Sequence, residues 1–85
     1  MRVLHLIRRR MDAYAESAMQ AHEADGLQVF AAYLQDAVYG PFPRSENAAA
    51  LKEDCQMRGV KPDLPTLSYA ELAALIFEYD RVVAW

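Results

Sequence analysis

The chain has 85 residues, a formal net charge of −3 and 25% charged residues, which predicts one acidic domain with little bulk attraction for nucleic acid. Its single cysteine, Cys55, excludes an intrachain disulfide and favours a reducing compartment. No apolar run approaches the ~20 residues that cross a bilayer, and Val3–Ile7 is too short for a signal peptide. A cytoplasmic protein is therefore expected.

Residues 2–25 are predicted to form the longest helix. Their apolar residues recur at intervals of three and four, as in a heptad seam, and are Leu4, Ile7, Met11, Tyr14, Ala18 and Ala21. Gly26 is expected to end this helix, because glycine readily takes the left-handed conformation of a helix end. The alternative is one unbroken helix through Gly26, at a cost of about 1 kcal/mol relative to alanine.

Two shorter helices are predicted next, over residues 27–39 and 46–58. Gly40 would end the first, and the prolines on either side of Phe42 would hold an extended corner. Ser45 is expected to cap the second. Gly59 would end it, with Val60 contacting Cys55 in a Schellman-type arrangement.

The last helix is predicted over residues 69–84 and has the clearest start signal. Ser68 and Glu71 have the spacing of a capping box. The helix is apolar on more than one face, which indicates burial nearly all round. These four helices predict an all-α, four-helix bundle-like single domain spanning residues 1–85, with the C-terminal helix central. Surplus apolar surface on the first and last helices makes a homodimer possible.

The residues that could carry chemistry are few. His22 and Asp25 are two potential ligands three residues apart, which is too few for a metal site, so a polar helix end is the preferred interpretation. Cys55 lies on the buried-looking side of its helix, where cysteine behaves as a small hydrophobe. No phosphate loop, nucleophile motif or carboxylate pair is present. The sequence therefore predicts no enzyme, no cofactor and no metal.

The N-terminal arginines suggest an interaction surface. The first eleven residues carry four arginines and no acidic residue, whereas the rest of the chain carries five basic and twelve acidic residues. Arg8, Arg9 and Arg10 would fan around a helix, as on a solvated face, or would contact an acidic partner or a phosphate backbone. A helix-turn-helix is disfavoured, because the linker before the last helix is long and that helix is not basic.

Aromatic residues suggest a second interaction surface. Most are expected in the core, but Phe42 between prolines and Trp85 at the chain end are hard to bury in a monomer. The Tyr69–Phe77 side of the last helix would be either core or interface. The leading hypothesis is a non-enzymatic inhibitor, adaptor or phage-type anti-host protein that docks onto a larger protein. The alternatives are a nucleic-acid-associated regulator and a structural subunit of a complex. The candidate partner-binding residues are Arg8, Arg9, Arg10, Phe42, Tyr69, Phe77 and Trp85.

Overall fold

Five parallel strands form one sheet in the computed structural model, which describes residues 1–85. The sheet has the order β4-β3-β2-β1-β5. Its strands are β1 (Arg2–Ile7), β2 (Gln28–Tyr33), β3 (Ala48–Leu51), β4 (Thr66–Leu67) and β5 (Arg81–Ala84). The connections contain α1 (Ala13–Ala24), a 3-10 helix (Gln35–Tyr39), α2 (Lys52–Arg58) and α3 (Tyr69–Glu78). The prediction of an all-α helical bundle is therefore wrong, and the fold is α/β.

The direction of the connections decides which helix lies on which face. The chain steps from β1 to β4 in one direction and then returns to the far side of β1 as β5. Since crossovers between parallel strands are almost always right-handed, α1 and α2 should cover one face and α3 the other. Side-chain contacts agree. Ala15 and Met19 of α1 pack with Ile7 and Ala31, whereas Leu72 of α3 packs with Leu4.

The predicted first helix is a strand, a loop and a shorter helix. Residues Val3–Ile7 lie in the interior of the sheet, and Val3, Leu4 and His5 are fully buried. A strand covered on both faces is apolar at successive positions, and a short run of that kind cannot be distinguished from helix by periodicity. Leu4 and Ile7 therefore belong to opposite faces and not to one seam. The break at Gly26 is confirmed, since its φ is +84°.

The second and third predicted helices each contain a strand. Residues Gln28–Tyr33 form β2, which pairs with β1 on one side and with β3 on the other. Ala48–Ala50 are at most 4% exposed, and their strand, β3, pairs with both β2 and β4. Tertiary burial has overridden the helix preference of alanine there. Ser45 caps no helix, because α2 begins only at Lys52.

The predicted end of that third helix is confirmed. Gly59 is left-handed, and its N–H bonds to the carbonyl oxygen of Gln56. The N–H of Val60 bonds to the carbonyl oxygen of Cys55, as in a Schellman ending.

The predicted fourth helix starts as expected but is shorter and more peripheral. The capping box is confirmed, with both the Ser68 and the Glu71 side chains bonded to the backbone. The helix ends at Glu78, and Val82 and Val83 belong to β5. Leu72 is its only buried residue. The prediction that this helix is central is therefore wrong. None of the helices is long and apolar enough to cross a membrane.

Candidate functional site

The outer side of α3 carries a stripe of exposed apolar residues. They recur at i, i+3, i+4 and i+7, which places them on one side of the helix. We call this set the α3 stripe: Ala70, Ala73, Ala74 and Phe77. The Phe77 side chain is 91% exposed, the highest value among the large hydrophobic residues. Ile76 and, on the strand that follows α3, Val82 are also exposed.

Acidic groups flank the α3 stripe. Glu71 and Glu78 are the only charged residues of α3, and both are exposed. Backbone and side-chain hydrogen bonds from Ser68 lower the pKa of Glu71, so its carboxylate stays ionised at neutral pH. The stripe is thus an apolar surface with negative charge near both ends.

Tyr69 lies at the start of α3 and is held by α2. Its backbone N–H donates to the Glu53 carboxylate at 3.2 Å, and its hydroxyl lies 3.4 Å from Asp54 Oδ1. The charge of Asp54, first among several causes, raises the pKa of the Tyr69 hydroxyl. Tyr69 remains 55% exposed. The structure therefore places Tyr69 and Phe77 on one exposed helix, and neither is core.

The three arginines do not fan around a helix; they follow the carboxyl end of β1. Arg8 donates to the Trp85 carbonyl oxygen, and Arg10 donates to the Gly40 carbonyl oxygen at 3.0 Å. Arg9 pairs with Asp12 at 3.2 Å, although its own side chain is 72% exposed. Each guanidinium thus has a partner within the chain, which ties the end of β1 to its neighbours.

Phe42 and Trp85 are half-buried against the α1 side of the sheet. The Phe42 ring lies 5.1 Å from the Tyr33 ring. Trp85 Nε1–H donates to His5 Nδ1 at 2.9 Å. His5 Nδ1 is therefore an acceptor, so its Nε2 carries the hydrogen and donates to His22 Nδ1 at 3.1 Å. These two aromatic residues, predicted as partner contacts, pack against the chain's own core.

The His5–His22–Trp85 network was not foreseen from the sequence. Burial, followed by the nearby His22 and Arg44, lowers the pKa of His5 to about 4. The imidazole is therefore neutral at pH 7, as its acceptor role requires. The three residues are 17 and 80 positions apart along the chain, and only the strand assignment of β1 brings them together. His22 faces His5 rather than sharing a ligand set with Asp25.

Cys55 is a packing residue. It is buried and free, and it contacts Val38 and Ala50. Burial, with a smaller contribution from Asp54, raises the pKa of its thiol, which keeps the sulfur protonated and poorly nucleophilic. No group of three or more His, Cys, Asp or Glu side chains is arranged to hold a metal ion.

Comparison with models of known protein families and with curated proteins finds no match for this sequence.

Proposed function

We propose that the chain is a small protein-binding module that docks the α3 stripe onto a larger protein. The 91% exposure of the Phe77 side chain carries the proposal. A large apolar side chain at that exposure gains from burial, and aromatic residues are frequent anchors of protein interfaces. Ile76 and Val82, close to Phe77 along the chain, add further exposed apolar surface, and exposed apolar patches mark interaction sites.

The chemistry of the surface favours an amphipathic helix of the partner. Three alanines in the α3 stripe leave room for a second helix to approach closely, while Phe77 would fill a hole between its side chains. Glu71 and Glu78 favour lysine or arginine beside the partner's apolar face. A second copy of this chain would bring like charges together, so the predicted homodimer is the less favoured occupant of this surface.

The nucleic-acid alternative remains a prediction. Arg8, Arg9 and Arg10 already have partners within the chain, so no observation favours it over protein binding. We keep the cytoplasm as the proposed compartment, which the free thiol of Cys55 supports.

The test compares two exposed aromatic residues on opposite sides of the molecule. Tagged wild type, Phe77→Ser and Tyr14→Ser are used for affinity capture from the source cells, and the captured protein is then purified and titrated directly. Tyr14 is 79% exposed on α1, so it matches Phe77 in exposure but not in location. We expect a partner that binds wild type and Tyr14→Ser equally and binds Phe77→Ser at least about 10-fold more weakly.

The proposal fails if no stoichiometric partner is found, or if Phe77→Ser binds it as tightly as wild type does. Native mass measurement of the free protein distinguishes a second copy from a different partner. If the free protein is a dimer and Phe77→Ser is a monomer, the α3 stripe mediates self-association and does not bind a larger partner.

A further inference from the structure

A cavity of about 240 Å³ lies at the carboxyl ends of β1 and β2, against the first two turns of α1. Ligands of parallel-sheet proteins bind at this edge. Apolar side chains supply most of the lining, with Ile7 and Tyr33 from the strands and Met19 from α1. The Pro41–Phe42–Pro43 segment lies beside them. The cavity is on the α1 side of the sheet, away from the α3 stripe.

Tyr33 lines this cavity, and its hydroxyl has no partner in the chain. Tyr33 is only 4% exposed, and its hydroxyl is the one buried side-chain polar atom of the chain without a hydrogen-bond partner. Buried hydroxyls are normally paired, because an unpaired one loses its bonds to water without replacement. The chain itself therefore supplies no hydrogen-bond partner for the Tyr33 hydroxyl.

The other polar groups of the lining already have partners. Asp12 accepts from the Ala15 N–H at 3.0 Å and from Arg9. Both Glu16 oxygens accept from the Arg44 guanidinium at 3.1 Å. The cavity thus has paired charges and one free hydroxyl, which favours an uncharged ligand.

The free hydroxyl can serve as a donor at every physiological pH. Burial and the nearby Glu16 charge raise the pKa of Tyr33 to about 12, so the phenol remains protonated. A bound molecule would therefore need an acceptor oxygen or nitrogen at one end and an apolar body elsewhere.

We propose that this cavity binds a small, uncharged, largely apolar molecule that accepts a hydrogen bond from the Tyr33 hydroxyl. A dry cavity of about 150 Å³ accommodates benzene, so about 240 Å³ accommodates one ring with a short substituent. Monosubstituted aromatic carbonyl compounds fit this description. The proposal is independent of the α3 stripe.

Acetophenone and α-methylstyrene test the proposal, because they have nearly the same shape and only acetophenone has an acceptor oxygen. Each is titrated into ¹⁵N-labelled wild type and Tyr33→Phe, which keeps the ring and removes the hydroxyl. We expect acetophenone to shift the amide signals of the cavity lining saturably. Tyr33→Phe should weaken acetophenone binding about 5- to 10-fold and leave α-methylstyrene binding unchanged.

A second variant guards against a folding artefact. Ala13 is exposed at the start of α1 and lines the cavity, so Ala13→Leu should fold normally and weaken both compounds. Phe77→Ser should bind acetophenone as wild type does, which separates this proposal from the docking surface. Absence of saturable shifts in wild type, or equal acetophenone affinity in wild type and Tyr33→Phe, overturns the proposal and leaves water as the partner of the hydroxyl.

Discussion

The α1 face of the sheet and the α3 face differ in how much of their apolar surface the chain itself covers. On the α1 face, Ala15, Met19, Ala31 and Ile7 are each at most 2% exposed. On the α3 face, Leu4 is fully buried, but Leu6, Phe30 and Leu34 remain half-buried, and α3 has a side of exposed apolar residues. Both α1 and α3 contain hydrophobic residues, so apolar content alone does not explain why the two faces are covered to different extents.

The order of the strands explains it. Three successive connections run in one direction, while only the last one returns across the opposite face. A single ten-residue helix therefore covers that face, and no second layer of this chain lies outside it. An apolar helix can therefore be peripheral when the topology places nothing beyond it, which is the condition under which a partner gains most from docking.

Truncating Met19 and truncating Phe77 should have very different effects on the stability of the protein. Met19 is 1% exposed in the α1 core, whereas Phe77 is 91% exposed. Met19→Ala should lower the free energy of unfolding by about 2 to 5 kcal/mol, because it removes buried apolar contacts. Phe77→Ala should change it by less than about 0.5 kcal/mol. Urea unfolding followed by circular dichroism measures both values.

Leu72→Ala is the matched control, since Leu72 lies on the same helix as Phe77 but is 7% exposed. It should lower the free energy of unfolding by at least about 2 kcal/mol. If Phe77→Ala proved as destabilising as Leu72→Ala, the outer side of α3 would be buried and the two faces would be alike.

Acid should weaken the α1 face specifically, through His5. The folded-state pKa of His5 is about 4, against an ordinary value of 6.5, so the unfolded chain binds the proton more readily. Stability contributed by neutral His5 is then complete above pH 6.5 and is lost as pH falls toward 4. Between pH 7 and pH 4.5 the free energy of unfolding should fall by about 2 to 3 kcal/mol, as measured by urea unfolding at each pH.

His5→Asn separates this effect from that of the carboxylates, because asparagine can accept from Trp85 Nε1 and does not titrate. Its stability should be nearly constant over the same range. Asp12, Glu23 and Glu71 have lowered pKa values, so their contributions are lost only at more acidic pH. A wild-type profile as flat as that of His5→Asn would contradict the assignment of a neutral, buried imidazole.

Local signals predicted three helix ends correctly but not the fold class. The capping box at Ser68, the break at Gly26 and the ending at Gly59 were confirmed, because each depends on neighbouring residues only. The strands were missed because Val3–Ile7 and Ala48–Ala50 are apolar at successive positions, which does not distinguish a buried parallel strand from a helix. Their pairing is set by residues far away in the sequence.

The candidate surfaces depended even more on the topology. The sequence predicts Phe77 as either core or interface. Its exposure follows because the β4-to-β5 connection is the only one that crosses the α3 face. Phe42 and Trp85 were expected to be hard to bury, but the α1 face covers half of each. Tyr33 and Glu16 were not singled out as a site. Their proximity needs the α1–β2 contact, and the Arg44 that neutralises Glu16 is 28 residues away.

The capping box should matter for α3 because burial secures this helix so weakly. Ser68→Ala removes the hydroxyl that accepts from the Glu71 N–H at 3.1 Å, which should lower the free energy of unfolding by about 1 kcal/mol. Ser45→Ala is the control, since Ser45 is exposed and caps no helix, and it should cost less than about 0.5 kcal/mol. Urea unfolding of both variants provides the measurement. Equal losses would mean that contacts with the sheet hold α3 in place, as they hold α1. The outer side of α3 would then be exposed even though the helix is firmly anchored.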